Sequence, residues 1–278
     1  MTLFTDIGDP LQTKSFRGCY TADLIDFARS LPEVLDAIHA ATLLERQQCI
    51  LIKPNLVNAS PPPITLPVEA VDALIQYIRS CSGARIFIGE GTGEKHLETD
   101  EVFRIHGYDQ LAARYDVELL DLNHAPLRKL SNPECNVFPD MFLPEVVLDS
   151  YLISFAVLKA HSLSDVTLSM KNLIGCAPPA HYQQGGHWKK SAFHKRMHES
   201  IFELNHYRKP DLALIDASIG MAEYHLGGPT CDPPVGKLIA GFDPVAVDAV
   251  GAGLLDYDWR QIPHIAQAHG RLGRAGQD

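Results

Sequence analysis

The sequence predicts an α/β fold: a mostly parallel central sheet flanked by helices, with a small antiparallel flap or subdomain around residues 126–150. Three observations carry this reading. Short apolar runs, too brief for helices, recur along the chain and end at Gly, Pro or polar residues. Segments of helical periodicity separate the first of them, so strand, helix and strand alternate as parallel pairing with right-handed crossovers requires. Between 126 and 150 that periodicity gives way to prolines and alternating apolar residues, which read as short antiparallel strands.

Cys49 to Leu56 (CILIKPNL) begins as a buried strand, and Pro54 forces Lys53 into an extended conformation, so Lys53 and Asn55 belong to a strand's carboxyl end. Val68, Val71, Leu74, Ile75 and Ile78 recur at helical spacing, and Ala84 to Gly89 (ARIFIG) is the next strand. A helix from Thr99 to Tyr115 and a strand from Val117 to Leu122 repeat the unit. Beyond the flap, strands are expected at Tyr151–Leu158, Leu212–Ile215 and Lys237–Ala240. Phe193, Met197, Ile201 and Leu204 form the apolar stripe of a helix, and Asp243-Pro244 reads as the N-cap and first residue of another. The expected organisation is a helical or irregular lead-in over residues 1–48, packed on a single α/β domain over 49–278, with a mobile His-rich loop at 177–192.

A formal charge of −10 argues against non-specific nucleic-acid binding, which needs a clustered excess of Lys and Arg. The six cysteines contain no C-x-x-C pair, so neither a zinc nor a ferredoxin pattern is present. No apolar stretch reaches membrane-spanning length, and the amino terminus lacks a basic region followed by an apolar run. The expectation is a cytoplasmic protein with reduced thiols and no nucleic-acid or membrane partner.

In open α/β sheets ligands bind outside the carboxyl ends of the strands, which directs attention to the loops there. After ARIFIG comes Gly89-Glu90-Gly91-Thr92-Gly93. It reads either as a tight turn or as a backbone cradle for an anion, and it matches neither a Walker A loop nor G-x-G-x-x-G. Glu90 would repel a phosphate, so its roles are a hydroxyl contact, pairing with Lys53 or metal ligation. The most informative stretch is Lys159-Ala160-His161 leading through Ser164, Asp165 and Thr167 to Lys171-Asn172. Two cations and an imidazole converge near one strand end, an arrangement suited to a carboxylate or phosphate. Adjacent ammonium groups also depress one another's pKa, which releases a neutral Lys as base or nucleophile. The plainer alternative is that Lys171 pairs with Asp165 or another acid and His161 caps a loop.

His181, His187, His194 and His198 lie close together in sequence. His194 and His198 are spaced to share a helix face and a metal ion, although HKRMH is not H-E-x-x-H, and surface or packing roles fit as well. Asp216, after the strand LALI, has the placement of a site carboxylate or of an ordinary cap. Asp248 is the one charge in the apolar run from Pro244 to Leu255 and needs a partner, with Lys53, Lys159 and Lys171 the candidates.

In order, KPNL, a strand ending in a Gly-rich turn, LKAHSLSDVTLSMKNLIG, PDLALIDASIGM and AGFDPVAVDAVGAGLL resemble the uncharacterised family catalogued as domain of unknown function 362, over residues 50–273. The resemblance implies a link to iron–sulfur ferredoxin modules, which relatives often carry or are encoded with, and so to redox or anaerobic cofactor chemistry and a ferredoxin-type partner. This chain has no ferredoxin cysteine run, and its turn is Glu-Gly-Thr-Gly where many relatives have an Asp-Ser-Pro-Gly character.

The residues together lead to the expectation of an enzyme acting on a small anionic substrate. Lys159, His161 and Lys171 are its catalytic candidates; Lys53, Asn55, Glu90, Gly91, Thr92, Gly93, Asn172, Asp216 and Asp248 are its ligand-binding candidates. Cofactor identity is open, with a bound metal ion as one option. A metal- or cluster-associated redox protein and a non-catalytic small-molecule carrier are the rival readings.

Overall fold

The computed structural model describes residues 18–276. In chain order the strands and helices are β1 (Cys19–Asp23), α1 (Phe27–Ala37), α2 (Ala40–Leu44), β2 (Cys49–Pro54), α3 (Val68–Cys81), β3 (Arg85–Glu90), α4 (Thr99–Ile105), α5 (Tyr108–Tyr115), β4 (Glu118–Asp121), β5 (Leu127–Ser131), β6 (Asp140–Pro144), α6 (Glu145–Asp149), β7 (Tyr151–His161), β8 (Asp165–Thr167), α7 (Ser169–Asn172), α8 (Pro179–Tyr182), α9 (Met197–Tyr207), β9 (Leu212–Met221), β10 (Lys237–Gly241), α10 (Pro244–Gly253) and α11 (Pro263–Ala268).

The central sheet runs β1-β10-β9-β7-β2-β3-β4, with β8 folded back antiparallel on β7. From β9 to β4 every pairing is parallel, while β10 is antiparallel to both of its neighbours. The fold is therefore α/β with a mostly parallel sheet. β2 and β7 sit at its centre and are apolar almost throughout because both faces are covered. Alternation assigns the faces. Ile50, Ile52, Ile153 and Phe155 pack with α1 and α3 on one side. Leu51 and Leu152 face the flap, and Ala213, Ile215 and Ala217 pack under α10.

The flap is a two-stranded antiparallel sheet, β5 with β6, in register from Leu127 opposite Pro144 to Ser131 opposite Asp140. Within the segment expected as a lead-in, the first 17 residues lie outside the described ones; β1 forms the sheet's edge and α1 and α2 pack on the core. The single helix expected over 99–115 is two helices, because Gly107 adopts φ 76° between them and ends the first as a left-handed residue does. Asp243 caps α10 as its sequence indicated, accepting from the N–H groups of Val245 and Ala246. The start of the expected mobile loop is docked. Tyr182 is buried against Phe138 and Phe193, and its hydroxyl accepts a 2.7 Å bond from Phe142 N. Among the described residues no helix is long and apolar enough to cross a membrane.

Two strands extend further than their apolar cores. β7 runs through Lys159 to His161 and turns back through β8; β9 runs on to Met221. Asp216 thus lies inside a strand, opposite Val157 and Leu238, and not at its end.

Candidate functional site

A cavity of about 210 Å³ opens where the carboxyl ends of β2, β3, β7 and β9 meet α7 and the loop before α9. β2 supplies Lys53 and, just beyond it, Asn55; the turn after β3 supplies Glu90, Gly91 and Gly93; β7 supplies Lys159 and His161; and α7 supplies Lys171 and Asn172. These are nine of the expected site residues. Thr92, Asp216 and Asp248 do not line the cavity. The Thr92 hydroxyl donates to Val57 O at 3.0 Å and holds the turn in place.

Lys53 and Glu90 form an ion pair at 2.7 Å, both side chains about 97 % or more buried. The remaining Lys53 donors go to Pro54 O at 2.7 Å and Asn172 Oδ1 at 3.2 Å, so its three N–H groups are all used. Glu90 in turn accepts from Leu56 N and Gly91 N, each at 2.8 Å. Asn172 also accepts from Asn55 Nδ2 at 2.9 Å and donates to Lys53 O and Ser154 Oγ. Asn55 Oδ1 receives Lys159 Nζ at 2.6 Å, and Ile64 O receives a second Lys159 donor at 2.7 Å. Carboxylate, two lysines and two amides form one chain of bonds across the strand ends. Gly175 makes room for it: a Cβ there would lie 2.4 Å from Glu90 Oε1 and 2.6 Å from Lys53 Cε.

Lys171 differs from these. It lines the cavity, and no hydrogen bond or ion pair among the described residues reaches its ammonium. Asp165, the acid expected as its partner, lies instead 3.7 Å from His198. Burial pushes Lys171 down to about 7, and burial together with the Lys171 charge does the same to Lys159. His161 stacks on His225 with ring centroids 3.7 Å apart, and its Nδ1 accepts from Leu163 N at 2.9 Å. Burial first, then Lys171, hold both imidazoles well below their ordinary value, His225 at about 3. His161 is therefore neutral near pH 7 and carries its proton on Nε2.

The acids expected opposite the lysines serve the backbone. Asp248 accepts from Ser169 N at 2.8 Å, Ser169 Oγ at 2.5 Å and Met170 N at 3.0 Å, which satisfies the donors at the start of α7. It positions the turn that carries Lys171 and Asn172 and pairs with neither. Asp216 accepts from Ser218 N at 2.9 Å. Asp248→Ala is expected to cost about 3 kcal/mol by orphaning buried donors worth roughly 1–3 kcal/mol each. Urea unfolding measures this, and Asp248→Asn, which keeps one accepting oxygen, should recover part of the loss.

Several cavity residues carried no local sequence signal. Lys190 is buried, donates to Asn123 Oδ1 and is pushed by burial to about 7. Trp188, Tyr224 and His225 form part of the wall; Thr167, from the stretch between His161 and Lys171 that the sequence singles out, contributes a buried hydroxyl with no partner among the described residues. His225 Nδ1 is likewise buried and unpartnered. Trp188 and Lys190 arrive because the loop pairs with the turn after β3, through the bridge of Glu94 with Trp188 and the Lys189 N–H bond to Gly93 O at 2.7 Å.

Of the four metal candidates, His194 lines the cavity, His181 stacks on Phe142, His187 is exposed and His198 bonds His264 at 3.0 Å. His194 lies in a 3-10 turn and His198 in α9, so they are not successive turns of one helix. Among the described residues one group, Glu98, Asp121 and His124, gathers three ligand-type atoms, and it includes none of the four.

Two comparisons bear on identity. The chain is 28% identical over 230 residues to the "Thylakoid-associated protein sll1697" of Synechocystis sp. (strain ATCC 27184 / PCC 6803 / Kazusa), an alignment covering 81% of this chain and 68% of that protein. The sequence profile of the domain of unknown function 362 matches residues 50–253, which hold every residue of the cavity wall and the Asp248 that positions α7. The chain belongs to the domain of unknown function 362 family.

Proposed function

We propose that this chain is an enzyme that binds a small anionic compound, a carboxylate or phosphate ester, at the carboxyl ends of its strands and moves a proton there. The observation that carries this is Lys171, a cation on the wall of a partly open cavity with no counter-charge among the described residues. The one carboxylate on that wall, Glu90, is already paired with Lys53. Lys159 keeps one N–H donor free and Lys190 keeps two, so three lysines are left to meet an anion. The unpartnered Thr167 hydroxyl and His225 Nδ1 supply further contacts. Lysine, not imidazole, is the proton-transfer group, because Lys159 and Lys171 stand near 7 whereas His161 stays neutral and orients. The unpaired state of all six cysteines fits a reducing, cytoplasmic setting.

Lys171→Met tests the reading in two directions at once. Removing a half-buried, unpaired cation should raise the stability of the ligand-free protein by up to about 1 kcal/mol, while weakening anion binding at least about tenfold. Thermal unfolding with and without inorganic phosphate or pyruvate reads both. If neither anion raises the melting temperature of the wild type, the anionic-ligand reading falls.

A further inference from the structure

We propose that Lys171 is a nucleophile that condenses with the carbonyl group of a small 2-oxo acid, holding it as an imine among the strand ends. This deepens the anionic-ligand reading and rests on it.

The four lysines of the cavity divide the work. Lys53 is consumed by Glu90, Pro54 O and Asn172, and cannot leave without stranding a buried carboxylate. Lys159 is fixed by Asn55 and Ile64 O, and Lys190 by Asn123. Of the four, Lys171 alone has no acceptor for its proton among the described residues, and it shares the cavity with Leu163, Ile174, Trp188 and Met197. A site built only to hold an anion gains from keeping every ammonium charged and hydrogen-bonded. A half-buried amine beside an apolar wall and without an acceptor is instead the environment that frees a nitrogen lone pair. Burial brings Lys171 to about 7, so near neutral pH the fraction present as free amine exceeds that of an exposed lysine by on the order of 10³. The cavity of about 210 Å³ is below the usual range for ligand pockets, roughly 300–1,000 Å³, and so admits a compound of few heavy atoms.

The step balances with groups present. The neutral Lys171 Nζ attacks the carbonyl carbon, and a proton passes from nitrogen to oxygen to give a carbinolamine. The hydroxyl then takes a proton from the Lys159 ammonium, whose third N–H is free, and leaves as water. The product is a protonated imine on Lys171 and a neutral amine at Lys159. Mutual repulsion between the two lysines favours this starting state, one charged and one neutral. Lys190 and the Thr167 hydroxyl are left to bind the carboxylate of the oxo acid.

Borohydride makes the imine permanent. The full chain is incubated at neutral pH with pyruvate, 2-oxobutyrate or 2-oxoglutarate, reduced, digested and mapped by mass spectrometry. The expected result is an added mass equal to the oxo acid less one oxygen on the peptide holding Lys171. Its occupancy should exceed that of any exposed lysine at least about tenfold, well within the reactivity difference set by the free-amine fraction. The adduct should vanish in Lys171→Arg, whose melting temperature shows that it is folded. Labelling of Lys171 no greater than that of exposed lysines with all three acids overturns the proposal. If in that case lactate, which lacks the carbonyl, stabilises the protein as much as pyruvate does, anion binding survives and only the imine falls. If neither shifts the melting temperature, the anionic-ligand reading falls too.

Discussion

Glu90→Gln is expected to lower folding stability by about 3–5 kcal/mol, the cost of leaving one member of a buried ion pair without its counter-charge. Lys53 and Glu90 meet at 2.7 Å with about 1 % and 3 % of their side chains exposed, so solvent does little to screen the loss. Glu90 also receives Leu56 N and Gly91 N, which tie the ends of β2 and β3 together, and the variant should therefore loosen the turn as well as the pair. The double variant Lys53→Met with Glu90→Gln should regain much of the loss, because neutralising both members removes the stranded charge. Urea unfolding of the two variants decides the matter. A loss under about 1 kcal/mol in the single variant would mean that water reaches Lys53, and the cavity floor would have to be redrawn.

How much of this was legible in the sequence depends on where each residue's constraint comes from. Lys53, Asn55 and Lys159 are readable from the apolar runs they follow and Lys171 from its short spacing after Lys159, and the rule that ligands gather at carboxyl strand ends needs only the order of elements. The same rule misplaced Asp216. LALI is the apolar part of β9, yet the strand continues through DASIGM, and nothing in composition marks where a strand stops when its later residues are small. Asp248, a lone charge in an apolar run, needs a partner, and it finds backbone donors of α7 and the Ser169 hydroxyl, which periodicity does not reveal. Lys190, Trp188 and His225 were out of reach for another reason. Their place depends on loops bridging to the turn after β3 or covering the end of β7, contacts set by packing across long sequence separations. The family resemblance identified the kin of this chain and left the chemistry to the geometry.

Between pH 7 and about 8.5 the ligand-free protein should become more stable as pH rises, by at least about 1.4 kcal/mol per pH unit, the slope of one displaced proton. Lys159, Lys171 and Lys190 are each lowered to about 7 by burial, whereas in the unfolded chain lysine titrates near 10.4. Above pH 7 the unfolded state therefore holds protons that the folded state has released, so raising the pH favours folding. The slope lessens above about 8.5, where unfolded cysteines begin to ionise while burial keeps Cys19 and Cys176 protonated to about 11, a difference of opposite sign. The buried histidines add a contribution of the same sign that fades by about pH 7.5, and Asp248, raised by burial to about 7, opposes the lysines only at the lower end of the window. A bound anion reverses the logic by restoring a counter-charge, which raises the lysine values toward normal and flattens the curve. Urea unfolding at several pH values, with and without saturating phosphate or pyruvate, tests both halves. A slope already flat without ligand would mean that the three ammonium groups are solvated. A steep slope unchanged by an anion that binds would place that anion away from Lys171.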